Sequence, residues 1–236
     1  MLKLTNVTKR YGALIAVNNL SFEVEEGQIY GIAGPNGAGK STVYNLITGF
    51  YKYEGKIEFE GKDITGLSTH KIAQLGISRT FQIPQTFPSL TVEKGIDVGN
   101  RFGNTAKYNP SKVDEIIDFV DLEKDRKQLT GNLDLLGKKK LMIGAALATN
   151  PKILMLDEPM AGSNAHEIKA LMELIRKMNE ALGITIIIIE HFMKVLTELA
   201  KTLLIIETGT EICSGDPIAV TNNPKVIECY LGSDND

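Results

Sequence analysis

Three features of the sequence predict an α/β fold with a mainly parallel sheet covered by helices. Short apolar runs read as strands buried on both faces, chiefly at residues 29–33, 153–156 and 184–189. Between them, apolar residues return at helical spacing, as at Leu171, Leu174, Ile175, Met178 and Leu182. A glycine-rich loop at 34–39 joins one such strand to one such helix. Alternation of this kind places consecutive strands parallel, with helices packed on the sheet.

Length and composition bound what that fold can be. At about 150 residues per domain, 236 residues make about 1.6 domains, a core with a smaller companion. Lys+Arg 26 against Asp+Glu 29 leaves a net charge of −3, which argues against a broad nucleic-acid footprint. Cys213 and Cys229 are too few for a disulfide scaffold or a four-ligand zinc site and suit a reducing compartment. The three histidines are scattered and add no metal cluster. The longest apolar run, 184–189, contains Thr185 and falls far short of the ~20 residues of a spanning helix. The first residues lack the charged-then-apolar pattern of a signal peptide.

Taken in chain order, Leu20, Phe22 and Val24 alternate with polar residues before the Glu26-Gly27 turn, a half-buried strand. After the buried strand at 29–33 and the glycine loop, Val43, Leu46 and Ile47 share a helix face. Ile57 and Phe59 mark another half-buried strand. In the middle, Val113, Ile116, Ile117 and Val120 at i, i+3, i+4, i+7 predict an amphipathic helix opened by Pro110-Ser111. The Gly/Asn-rich stretches 99–104 and 129–132 read as loops. Residues 79–136 therefore read as a small, mainly helical subdomain set into a core formed by 1–78 and 137–210. Beyond it come a strand at 153–156, a long helix through Leu182, a strand at 184–189, a short helix with Val195, Leu196 and Leu199, and a strand at 203–206. The tail, 211–236, ends in polar, acidic residues that predict a frayed terminus.

The chemistry concentrates in Gly34-Pro35-Asn36-Gly37-Ala38-Gly39-Lys40-Ser41, which fits G-x-x-x-x-G-K-[ST] between a strand and a helix. Glycines let successive N–H groups of Asn36, Gly37, Ala38 and Gly39 face phosphate oxygens, and the helix N-terminus adds its positive end. Lys40 reaches the β/γ-phosphates, and the Ser41 hydroxyl takes a Mg²⁺ position. A second carboxylate is then needed on the metal side. The apolar strand ending in Asp157-Glu158 supplies it: Asp157 for Mg²⁺, Glu158 to polarise the attacking water.

Residues 34–42, Leu156-Asp157-Glu158-Pro159 and Ile189-Glu190-His191 stand in the order and spacing of an ATP-binding-cassette (ABC) transporter ATPase, which the chain resembles over nearly its whole length. The resemblance implies a P-loop core with an N-terminal antiparallel β part and a helical subdomain. It implies that Tyr11 stacks on adenine, that Ser41 and Thr42 continue the phosphate site, that Gln82 senses the metal and the membrane partner, and that His191 contacts the γ-phosphate. Arg79-Thr80-Phe81-Gln82, Ala148-Thr149-Asn150-Pro151 and the closing 223–232 segment look like the ATPase subunits of branched-chain amino-acid importers, though related importers and a lipopolysaccharide-export ATPase share parts of them. ATP and Mg²⁺ are the implied ligands. Transmembrane permease subunits, a second ABC ATPase subunit (homo- or heterodimeric) and, indirectly, a solute-binding protein are the implied partners. The implied location is cytoplasmic, peripheral on the inner face of the cell membrane.

One segment departs from that family. Where Leu-Ser-Gly-Gly-Gln is expected, the chain reads Leu133-Asp134-Leu135-Leu136-Gly137, followed by Lys138, Lys139 and Lys140. A carboxylate at 134 repels a γ-phosphate by ~1 kcal/mol in water at 4 Å and by more where water is thin. Leucines bar the close backbone approach that glycine allows. The lysines read as a solvated run in the first turn of the following helix; the alternative is that they meet phosphate and partly offset Asp134. Asn164, Ala145 and Phe192 also replace more usual aspartate, arginine and aspartate. These departures favour ATP binding over brisk, partner-coupled hydrolysis: the cassette is slow, or its composite site is built differently. Two other readings stand beside the importer: a soluble ABC ATPase acting on DNA or ribosomes, and a nucleotide-binding regulatory subunit with little turnover.

Overall fold

The computed structural model describes residues 1–103 and 108–231. It divides into two compact units, one formed by residues 1–72 and the chain from 185 onward, the other by residues 73–184.

The first unit opens with strands β1 (Leu2–Tyr11) and β2 (Leu14–Val24), paired antiparallel with irregular register, so that Leu20, Phe22 and Val24 are buried as their alternation predicts. Strand β3 (Ile29–Ala33) is buried at every position and leads through the glycine loop into helix α1 (Lys40–Ile47). Helix α1 buries Val43, Leu46 and Ile47 on one face. Strands β4 (Glu54–Phe59) and β5 (Lys62–Asp63) complete a four-stranded antiparallel sheet in the order β2-β1-β4-β5. Helix α2 (Thr69–Leu75) follows.

In the second unit, strand β6 (Ile77–Arg79) pairs parallel with β7 (Ile153–Asp157), Arg79 opposite Met155. Between them lie α3 (Val92–Phe102), α4 (Ser111–Phe119) and α5 (Leu135–Ala148); α6 (Ala165–Leu182) follows β7. The helix predicted from Val113, Ile116 and Ile117 is α4, and all three are buried. The stretch from Gly99 to Phe102, expected as loop, is instead the last turn of α3; Asn104 lies outside the described residues. Its glycine has a packing reason. A Cβ at Gly99 would strike the Ala145 carbonyl oxygen, so glycine is what lets α3 lie against α5. Residues 130–132 form a single 3₁₀ turn, and Leu129 bridges to Thr91. In α6, Leu171, Leu174, Ile175 and Met178 are buried, but Leu182 is half exposed, because it is the last helical residue before the left-handed cap at Gly183 (φ 65°).

The chain then returns to the first unit. Strand β8 (Thr185–Ile189) pairs parallel with β3, Ile32 opposite Ile189; after α7 (Met193–Leu199), β9 (Thr202–Glu207) pairs parallel on the other side of β3. Tyr44 of α1 donates its hydroxyl to the Ile187 carbonyl at 2.6 Å and pins the helix to this sheet. Strand β10 (Thr210–Gly215) pairs antiparallel with β9, and α8 (Pro217–Thr221) and α9 (Pro224–Leu231) follow. Ser233 to Asp236, expected as a frayed end, lie outside the described residues.

Candidate active site

In the first unit the phosphate loop leaves the carboxyl end of β3 and turns into α1 at Gly39, whose φ of 101° is closed to side chains. A Cβ there would also strike the Ala16 carbonyl oxygen, so the loop follows this path only with glycine at 39. Lys40 is buried, 5 % exposed, and its ammonium donates to the carbonyls of Gly34 (2.7 Å) and Pro35 (2.8 Å). A cation therefore sits in the cradle of the loop with its charge already fixed there. Asn36, Gly37 and Ser41 are exposed, Thr42 is half-buried, and the loop tip borders a cleft of about 710 Å³ shared with Lys225 and Glu228 of α9.

Two more expected residues belong to this unit. His191 leaves β8 two residues past Ile189, the partner of Ile32, so it starts from the strand beside the one that launches the loop. Crevices at the carboxyl ends of neighbouring parallel strands are where α/β sheets bind ligands. The His191 backbone N–H donates to the buried Glu190 carboxylate at 3.1 Å. Tyr11, at the end of β1, is 41 % exposed and meets Tyr51 edge-on, ring centroids 5.6 Å apart. Burial and then the neighbouring Tyr51 push the Tyr11 phenol above its ordinary range, against a hydrogen bond from the Thr42 side chain.

The second unit carries the carboxylates. Asp157 ends β7 in a buried position, and Glu158 follows at φ 46°, a left-handed conformation that costs a non-glycine residue on the order of 1 kcal/mol. Gln82 donates its amide Nε2 to Glu158 Oε2 at 2.6 Å. The glutamine and the carboxylate that the sequence marked separately are thus in direct contact. Asp157 has a partner the sequence did not assign: Arg79 Nη2 donates to its Oδ2 at 2.7 Å, with the two side chains 9 % and 7 % exposed. The Arg79 guanidinium also stands 5.1 Å from the Phe81 ring centroid. Parallel pairing of β6 with β7 makes these contacts, since it sets Arg79 opposite Met155.

The departing segment folds as a capped helix start. Asp134 is the N-cap of α5, its Oδ1 accepting the Gly137 N–H at 2.7 Å, so the carboxylate does the capping that a serine also can do. The lysine reading needs correction. Because α5 begins at Leu135, Lys138 closes its first turn, while Lys139 and Lys140 fall in the second. Lys139 is buried and donates to the Ala161 carbonyl (2.5 Å) and Ser163 hydroxyl (2.7 Å), while Lys140 pairs with the Asp121 carboxylate at 2.9 Å. Lys139 and Lys140 act as tertiary braces rather than as part of a solvated run. Asn164 likewise caps α6, in a capping box with Glu167.

Comparison with known proteins settles the family. The family model for ABC transporters matches residues 17–161, more than half of the chain. The chain belongs to the ABC transporter family. A second family model, the branched-chain amino acid ATP-binding cassette transporter, matches residues 211–236 of the cassette. The cassette is 36% identical to the high-affinity branched-chain amino acid transport ATP-binding protein BraF of Pseudomonas aeruginosa, over 98% of each chain. It is 33% identical to the probable branched-chain amino acid transport ATP-binding protein LivG of Archaeoglobus fulgidus, over 99% of this chain and 96% of that one. Among solved structures, the ADP conformation of an ATP-binding cassette of an ABC transporter superposes with a TM-score of 0.89 at 32% identity, covering 98% of both chains.

Proposed function

We propose that this cassette is the ATP-binding, ATP-hydrolysing subunit of a membrane importer for branched-chain or related amino acids. The observation that carries the reading is the phosphate loop with its buried lysine: Lys40 fixed on the loop carbonyls, at the junction of a buried strand and a helix. The curated relatives' names supply the transport role.

The donor set suits ATP with Mg²⁺. Ser41 offers a hydroxyl at the second position of α1, and Asp157 a carboxylate; among the described residues no group of three or more His, Cys, Asp or Glu is placed to cage an ion. A cation held by one or two protein groups and completed by phosphate oxygens is the usual Mg²⁺ arrangement. The ion supplies charge neutralisation at the β/γ-phosphates. Loop N–H groups from Asn36 to Gly39, with Lys40 and Thr42, hold the phosphates. Glu158, oriented by Gln82, takes the proton of the attacking water; His191 steadies the γ-phosphate, and Tyr11 takes the adenine. Asp134, Leu135 and Leu136, at the α5 N-terminus where the family carries serine and two glycines, favour slow turnover.

Among the described residues no helix is long and apolar enough to cross a membrane; the importer reading assigns the crossing to permease subunits. The proposed assembly adds a second cassette and a solute-binding protein, and places this chain on the inner membrane face. Reconstitution with branched-chain amino-acid permease subunits tests the reading: leucine uptake should follow ATP hydrolysis and vanish with Lys40→Ala. ATP hydrolysis that leaves uptake unchanged contradicts it. Turnover that fails to rise on restoring Ser, Gly, Gly and Gln at 134–137 contradicts the account of slowness.

A further inference from the structure

Beside the phosphate loop, the first unit holds a compact cluster that no sequence motif marks. Tyr11 ends β1, and Tyr51 lies beyond the end of α1. Their rings meet at 88°, centroids 5.6 Å apart. The Lys9 ammonium stands over both, 4.8 Å from the Tyr11 centroid and 5.3 Å from that of Tyr51. It is held there by donating to the Lys52 carbonyl at 2.8 Å. Both rings remain about two-fifths exposed.

Each contact restricts Tyr11. An edge-on ring pair loses its favourable alignment when either ring turns. A cation over both faces adds attraction that the same rotation removes. The chain that carries Tyr51 is tied back to α1, the helix that the phosphate loop opens, by the Phe50 N–H donating to the Asn45 carbonyl at 2.8 Å. Tyr11 is therefore fixed relative to the loop while part of its ring surface stays open to solvent. A surface fixed before binding loses less freedom when a flat ligand stacks on it.

We propose that Tyr51 and Lys9 are positioning residues for base recognition: they hold the Tyr11 ring ready to stack on the purine of the nucleotide whose phosphates occupy the loop. The inference rests on the reading of Tyr11 as the base-stacking residue. It assigns Tyr51 and Lys9 no contact with phosphate, and that makes the proposal separable from a general structural role.

The test compares binding of ATP with binding of inorganic tripolyphosphate, which carries the phosphates without a base. The chain has seven tyrosines and no tryptophan, so ligand-induced changes in tyrosine emission can be followed directly, with calorimetry as the second readout. Tyr51→Leu and Lys9→Met should each weaken ATP binding about three- to ten-fold, with tripolyphosphate affinity unchanged and Tyr51→Phe close to the parent. Unchanged ATP affinity in Tyr51→Leu and Lys9→Met overturns the proposal. So does an equal loss for ATP and tripolyphosphate, which would mean general loosening of the unit. Tyr11→Leu separates the two levels. If it weakens ATP binding while Tyr51→Leu and Lys9→Met do not, only the positioning role fails; if it has no effect, the base-stacking reading fails with it.

Discussion

Replacing Arg79 by methionine probes the contact the sequence did not announce. The guanidinium lies 2.7 Å from the Asp157 carboxylate, and both side chains are more than nine-tenths buried. At that separation, with an effective dielectric of about 20, the gross attraction is about 6 kcal/mol, most of it offsetting the desolvation of two charges. Methionine is similar in length and fills much of the space, so the main consequence of Arg79→Met is a buried carboxylate without this cation. Breaking a buried pair from one side costs about 3–5 kcal/mol, a large part of the 5–15 kcal/mol that holds a typical domain together. For a domain of this size that is a fall in melting temperature of roughly 6–20 °C. Urea and thermal unfolding of Arg79→Met, Asp157→Asn and the double variant complete the cycle. The double variant should lose much less than the two single losses combined, because neither charge is left behind. A loss below 1 kcal/mol in Arg79→Met, or simple additivity, refutes the assignment of Arg79 as the brace of Asp157.

Three further outcomes follow from local geometry. Gly99→Ala pushes a methyl group into the Ala145 carbonyl and should cost about 1–3 kcal/mol in thermal unfolding. Asp134→Ala removes the α5 cap and should cost about 1 kcal/mol, while Asp134→Ser, which keeps a capping oxygen, should recover most of it by the same measurement. Burial, helped by Glu207, pushes the Cys229 thiol up to about 11 from its ordinary 9, so its alkylation by iodoacetamide should stay slow at pH 8 and accelerate only as the pH nears 11. Since that pKa is raised by folding, its contribution to stability is full below pH 9 and declines as the pH rises towards 11; fast alkylation of Cys229 at pH 8 contradicts this.

Local pattern carried much of the fold. The run at 29–33 needs no partner to be read as a buried strand, and the glycine loop after it states its own chemistry because phosphate recognition uses backbone rather than distant side chains. What pattern could not show are contacts set by strand pairing and helix crossing. Nothing within a few residues of Arg79 points to Asp157; the link exists only because β6 runs beside β7. Glycine at 99 looks like a loop residue until α5 is laid against it. Lys139 looks like part of a wet charge run, yet its ammonium is spent on Ala161 and Ser163. Tyr51 gave no signal at all, since a lone aromatic past a helix is common.

The central claim, that the cassette binds and hydrolyses ATP with Glu158 as the residue acting on water, is tested most directly by phosphate release from Mg-ATP in the parent chain and in Glu158→Gln. The account predicts measurable turnover in the parent, retained ATP binding in the variant, and a loss of turnover of at least about a hundred-fold. Glu158→Gln hydrolysing at the parent rate, or a parent chain that binds no ATP, contradicts it.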